Sequence, residues 1–179
     1  MDRSEPTRKQ AFRGALGDVE LRAMQVVQVA LMAGVLFFGL VVAVLAIRPQ
    51  TVGAAPPTPA ATLSLLSLVH GAMALGAWAV AFLLHGALLR RAVADEAAGT
   101  GADALAALRK AMLVRLALLE GPALFGLVVC LLAALGGALR ATPIYWLNAL
   151  SALAFLAIAV LSFPTRERVE TSLVEHFGH

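Results

Sequence analysis

Long apolar runs alternate with short charged stretches along the chain. Residues 23–47 carry no charged side chain, and neither do residues 49–89. Runs of about 20 apolar residues match a bilayer hydrocarbon core about 30 Å thick. Helices of soluble proteins keep a polar face, and these runs have none. The pattern predicts four spans: Met24–Ile47, Leu63–Leu89, Ala111–Leu139 and Pro143–Phe163. The fold class that follows is all-α, a polytopic membrane protein of four transmembrane helices in two hairpins.

The chain then divides into five parts. Residues 1–22 form a cytoplasmic N-terminal segment, 23–90 the first transmembrane hairpin and 91–109 a cytoplasmic connection. Residues 110–164 form the second hairpin and 165–179 a cytoplasmic tail. Phe12, Leu16 and Val19 place a narrow apolar stripe on the basic first segment, the pattern of a short helix lying on the inner leaflet. Val169, Leu173 and Phe177 repeat that stripe in the tail. Residues 49–62, rich in proline and alanine, read as a stiff connection on the far side.

At 60% hydrophobic and 14% charged, the 179 residues lie far from the composition of an average soluble domain. The first apolar run, about 24 residues, is too long for the apolar region of a signal peptide and reads as a retained helix. Cys130 is the single cysteine, so no disulfide closes within one chain. Eleven of the fourteen lysines and arginines fall in the N-terminal segment, the 91–109 connection with its flanks, and the tail. By the positive-inside rule both termini and that connection face the cytoplasm. The basic balance is that of a chain meeting anionic lipid headgroups, and it calls for no nucleic acid.

Sliding the chain against itself by 87 residues aligns Leu21–Ala46 with Leu108–Ala133 without gaps, at thirteen identities in twenty-six positions. The core of the match is Phe38-Gly39-Leu40-Val41-Val42 against Phe125-Gly126-Leu127-Val128-Val129, with Gly34 against Gly121. Spans two and four match less well. Two hairpins in parallel orientation follow, a form of duplication known among membrane transporters. Where the second copy has Arg115, Glu120 and Pro122, the first has Gln28, Ala33 and Val35.

Those divergences single out a polar site. A charge near a helix centre costs about 2.5–3.5 kcal/mol on insertion scales, so an intramembrane carboxylate is a functional candidate. Glu120 lies ten residues beyond Lys110, about 15 Å along a helix, in the cytoplasmic half of the hydrocarbon. Pro122 has no backbone N–H to offer the carbonyl of Leu118, and Gly121 permits close approach of another backbone. Freed carbonyl, acid and water would form a proton or cation pocket; the alternative is a kink that only shapes packing. Arg115 and Glu120 stand about 140° apart around the helix, so any pairing reaches another helix or another protomer. Arg115 could instead snorkel to the headgroups.

Residues 108–130 resemble the carboxylate-bearing outer helix of the c subunit of rotary (F-type and V-type) ATPases. The resemblance rests on Leu108-Arg109, Met112, Leu116-Ala117-Leu118-Leu119, Glu120 and Phe125-Gly126-Leu127-Val128-Val129. It implies a bacterial inner-membrane homo-oligomer, alone or within a larger membrane complex, in which Glu120 carries a proton or sodium ion. The core RLALLEGPALF and the segment Pro164–Arg168 also resemble an uncharacterised bacterial four-helix membrane protein family, a resemblance that implies no function.

His70 and His85 share span two at a separation of about 22 Å, too far for one metal site. His85 sits at the depth of Arg115 and could hydrogen-bond there, although a core or interfacial role suits both histidines. Tyr145 and Trp146 open span four, where aromatic belts belong. The sequence holds no nucleotide loop, zinc motif or nucleophile–base–acid set, so no catalytic residue, metal or cofactor is expected. Two readings remain: a proton- or ion-binding c-subunit-like protein, and a non-catalytic accessory subunit in which Glu120 and Arg115 pair between helices or protomers.

Overall fold

A computed structural model of the chain describes residues 17–48, 58–96 and 101–177. Every element among them is helical. In chain order these are α1 (Asp18–Ile47), α2 (Ala60–Glu96), α3 (Gly101–Leu135) and a single turn, α4 (Ala138–Ala141). A 3-10 helix, η1 (Pro143–Ala149), leads into α5 (Leu150–Leu161), and α6 (Arg166–Phe177) closes the chain. α1, α2, α3 and the continuous η1–α5 rod are each long and apolar enough to cross a membrane. Leu36, Phe37, Leu40, Leu68, Leu75 and Leu83 point outward from α1 and α2, all at least half exposed. Four apolar helices with oily outer faces make this a multi-pass membrane protein.

The helices differ from the predicted spans at their ends, for local reasons. α2 and α3 run through most of segment 91–109, which is rich in alanine, the strongest helix former. α3 stops at Leu135 instead of Leu139 because Gly136 and Gly137 follow. Gly137 adopts φ 73°, a left-handed conformation that glycine takes without a Cβ penalty. Pro143 then opens η1, its fixed φ suiting a first helical turn. Trp146 is exposed, while Tyr145 turns inward. Phe12 and Leu16 lie outside the described residues; Val19 is exposed and Val169 is buried. The side chains of Leu173 and Phe177 also lie outside the description.

α3 is the central helix. Half of its most apolar stretch, 50%, is buried, against 11% for α1 and for α2. α1, α2 and the η1–α5 rod all pack on α3, whereas α1 barely meets α2 and α2 barely meets α5. Three core layers result. Met24, Leu89, Leu108 and Val169 fill the layer nearest α6. Val35, Val42, Leu119, Ala123 and Phe155 fill the middle, and Ala46, Leu63, Ala133, Leu139 and Tyr145 fill the Pro143 end.

Polar ties fix α1 to this core. Gln28, buried, donates from Nε2 to the carbonyl of Ala159 at 2.5 Å, and Gln25 reaches the carbonyl of Pro164 at 2.9 Å. Arg140 donates to the carbonyls of Ala46 and Arg48, both at 2.6 Å, satisfying the open end of α1 with a cation at the negative pole of its dipole. At the other end Glu20 meets Arg109 at 3.1 Å and Asp18 meets Arg166 at 2.8 Å.

Candidate functional site

On α3 the exposed positions include Lys110, Ala117, Gly121 and Val128. Glu120 is half-buried at the edge of that stripe, beside Gly121, where an added Cβ would meet nothing within 4 Å. Among the described residues one ion pair joins Glu20 to Arg109 and another Asp18 to Arg166, while none joins Arg115 to Glu120. The Arg115 guanidinium lies instead 4.8 Å from the centroid of the Phe82 ring, with its Nε buried and without an acceptor. A cation over a ring face is held by the ring quadrupole, which partly replaces lost hydration. Arg115 shares a cavity of about 760 Å³ with His85 and the corner between α5 and α6. Arg115 and His85 thus line one cavity, and Glu120 is not among its lining residues.

Pro122 is buried, and α3 continues through it. Two residues around a helix is about 200°, so Pro122 faces the bundle while Glu120 faces away. Leu118 packs against the middle core layer. The carbonyl of Pro122 itself accepts a hydrogen bond from Ser151 at 3.2 Å, and this leads to a second polar centre.

That centre joins α2, α3 and the η1–α5 rod through His70, Asn148 and Ser151, each at least nine-tenths buried. His70 Nδ1 lies 3.0 Å from Asn148 Oδ1, and Nε2 lies 2.9 Å from Ser151 Oγ. Asn148 Nδ2 donates to the carbonyl of Tyr145 and to Ser67 Oγ, both at 3.0 Å. A backbone carbonyl only accepts, so the amide nitrogen must face Tyr145 and the amide oxygen must face His70. His70 Nδ1 then carries a proton, and Nε2 of the neutral ring accepts from the Ser151 hydroxyl. The Ser151 hydroxyl also lies 3.2 Å from two backbone acceptors, the carbonyls of Pro122 and Asn148.

Hydroxyl, imidazole and amide stand here in the order of nucleophile, base and orienter. Both amide protons of Asn148 are committed, one to Ser67 and one to the Tyr145 carbonyl. The cluster's hydrogen bonds form a latch between α2, α3 and the η1–α5 rod. Gly126 lets it close: a Cβ there would lie 2.1 Å from the Asn148 carbonyl oxygen and 2.7 Å from His70 Nε2. The His70 ring also tilts against Phe125, with centroids 6.1 Å apart.

Sequence reasoning singled out Glu120, Arg115 and His85 but gave Asn148 and Ser151 no role. A signal was present. Ser67 and His70 on one span, and Asn148 and Ser151 on another, are polar pairs at i,i+3, each presenting one hydrogen-bonding face within an apolar run. Beside the latch a groove of about 1170 Å³ runs between α2 and the η1–α5 rod. Among the described residues no three His, Cys, Asp or Glu side chains converge on a metal site. Compared with family models, with curated proteins and with solved structures, the chain matches none.

Proposed function

We propose that this is a self-associating bacterial inner-membrane protein, c-subunit-like, in which Glu120 binds a proton or a monovalent cation. Both termini are cytoplasmic in this reading, on the distribution of lysine and arginine. The observation that carries it is the placement of Glu120: half-buried at the rim of the outward stripe of α3, next to the open Gly121, with no cationic partner among the described residues. A carboxyl held there is stable only when protonated or joined by a cation or another subunit.

The repeat supports self-association. α1 buries Met24, Gln28, Val35, Val42 and Ala46. The positions 87 residues later are Ala111, Arg115, Pro122, Val129 and Ala133, all buried except Arg115, which is half-buried. α3 buries a second face as well, and its counterpart on α1, including Val29, Leu36 and Leu40, is left uncovered for another protomer. A carbodiimide reaction on the purified protein at neutral pH tests the reading. Glu120 is expected to react, Glu120→Gln to abolish the product, and sodium to slow it if sodium is the ligand. An unreactive Glu120 at every pH would refute it.

One observation favours the accessory-subunit reading. The buried Nε of Arg115 lacks an acceptor, as Glu120 lacks a cation, so the two could complete each other between protomers. Glu120→Gln would then lower the oligomer mass seen by native mass spectrometry. An unchanged oligomer would count against that pairing.

A further inference from the structure

We propose that the groove between α2 and the η1–α5 rod is a binding site for an uncharged acylglycerol bearing a free hydroxyl. It rests on residues separate from Glu120. Along α2 the lining runs from Ser64 to Trp78, fourteen residues or about 21 Å, and along the other wall from Thr142 to Ala157. The groove opens sideways because α2 and α5 hardly meet below the latch. Its volume, about 1170 Å³, exceeds the usual upper bound of about 1,000 Å³ for drug-sized ligands.

The lining is graded. Ser64, Ser67, Thr142 and Tyr145 occupy the end nearest Pro143, with the latch as floor. Deeper in, Gly71, Ala74, Leu75, Leu153 and Ala157 are apolar, and Trp78 at the far end of that wall adds one buried N–H without an acceptor. That gradient fits an amphiphile lying parallel to the surrounding lipids, its head at the interface and its chain toward the middle of the bilayer.

Charge selects the head. No Lys, Arg, Asp or Glu stands among the described residues lining this groove. The cavity beside Arg115 carries Arg168 and Glu167, and a third cavity carries Arg109, Lys110 and Glu20. A phosphate head draws on cations for its strong hydrogen bonds, so the groove suits a neutral one. Hydrogen bonding narrows the choice. The hydroxyls of Ser64, Thr142 and Tyr145 have no partner among the described residues. The Ser67 oxygen accepts from Asn148, but its proton has no acceptor there. Each hydroxyl both donates and accepts, so its complement offers both functions. An acylglycerol does so through ester carbonyl and free hydroxyl; a quinone ring offers acceptors alone.

The test uses the full-length protein in phosphatidylcholine nanodiscs with a trace of photoactivatable diacylglycerol. Cross-links are expected within 64–78 and 142–157, with competition by dioleoylglycerol and none by phosphatidylglycerol or ubiquinone. Ser67→Ala combined with Tyr145→Phe should weaken competition about tenfold, the equivalent of one lost hydrogen bond at the upper end of its range. Ala74→Trp, filling the deep groove, should abolish labelling, while Leu83→Trp on the exposed face of the same helix should leave it unchanged. Labelling spread evenly over α1 and α2 means annular lipid only and overturns the proposal. So does unchanged affinity in the Ser67→Ala, Tyr145→Phe variant, or stronger competition by ubiquinone or phosphatidylglycerol.

Discussion

In α1 the motif Phe38-Gly39-Leu40-Val41-Val42 leaves Leu40 60% exposed, while in α3 the matched Leu127 is 4% exposed. The two glycines part company further. A Cβ on Gly39 would rest 4.0 Å from the Leu127 methyls, an ordinary contact, whereas a Cβ on Gly126 would strike the Asn148 carbonyl. Gly34 and Gly121, by contrast, both face open space. The helical frame thus sets which stripe each copy buries, and the two copies share it. What covers the remaining face depends on where α2 and the η1–α5 rod settle, and both settle on α3.

The comparison breaks most sharply at the glycines. Gly126→Ala should destabilise the protein by about 3 kcal/mol, since the clash falls on backbone and on a satisfied polar cluster. Gly39→Ala should stay within about 0.5 kcal/mol of the parent. Thermal unfolding in detergent reads both, and similar losses at the two sites would mean the copies are packed alike. Next comes the latch. His70→Ala strands the amide oxygen of Asn148 in the bundle and should cost about 2 kcal/mol. Gln28→Leu removes the matching polar tie from α1 to Ala159, and about 1 kcal/mol is expected by the same measurement. A loss for Gln28→Leu as large as that for His70→Ala would place α1 on equal footing with α2. The smallest effect belongs to the Glu20–Arg109 pair. Both side chains are well exposed, so Arg109→Ala should change stability by no more than about 0.5 kcal/mol, fading further at high salt.

Much of the architecture was legible in the pattern of apolar residues. Four long apolar runs, the third interrupted by Arg115 and Glu120, can be satisfied as helices, because hydrocarbon supplies no partner for a free backbone group. The ends were less legible. Gly136-Gly137 is a recognisable stop, yet an apolar run on both sides hides it from hydropathy, and the 3-10 start of the fourth span follows from the tight turn before Pro143. Of the candidate site, Glu120 was visible because a carboxylate inside an oily run has a large energetic cost. Its separation from Arg115 was legible too, from helical geometry. His70 was visible as a residue but not as part of a cluster, since its partners lie 78 and 81 positions away on another element.

Sequence alone determined the class of object, four membrane-length helices with an acid inside one apolar run, because apolar length and helical period are local properties of the chain. Tertiary structure alone decided that α3 is central, that Arg115 turns to Phe82, and that His70, Asn148 and Ser151 close one latch around Gly126. Those outcomes depend on which helix faces meet. In a bilayer every apolar face is equally content with lipid, so shape and buried hydrogen bonds make the choice.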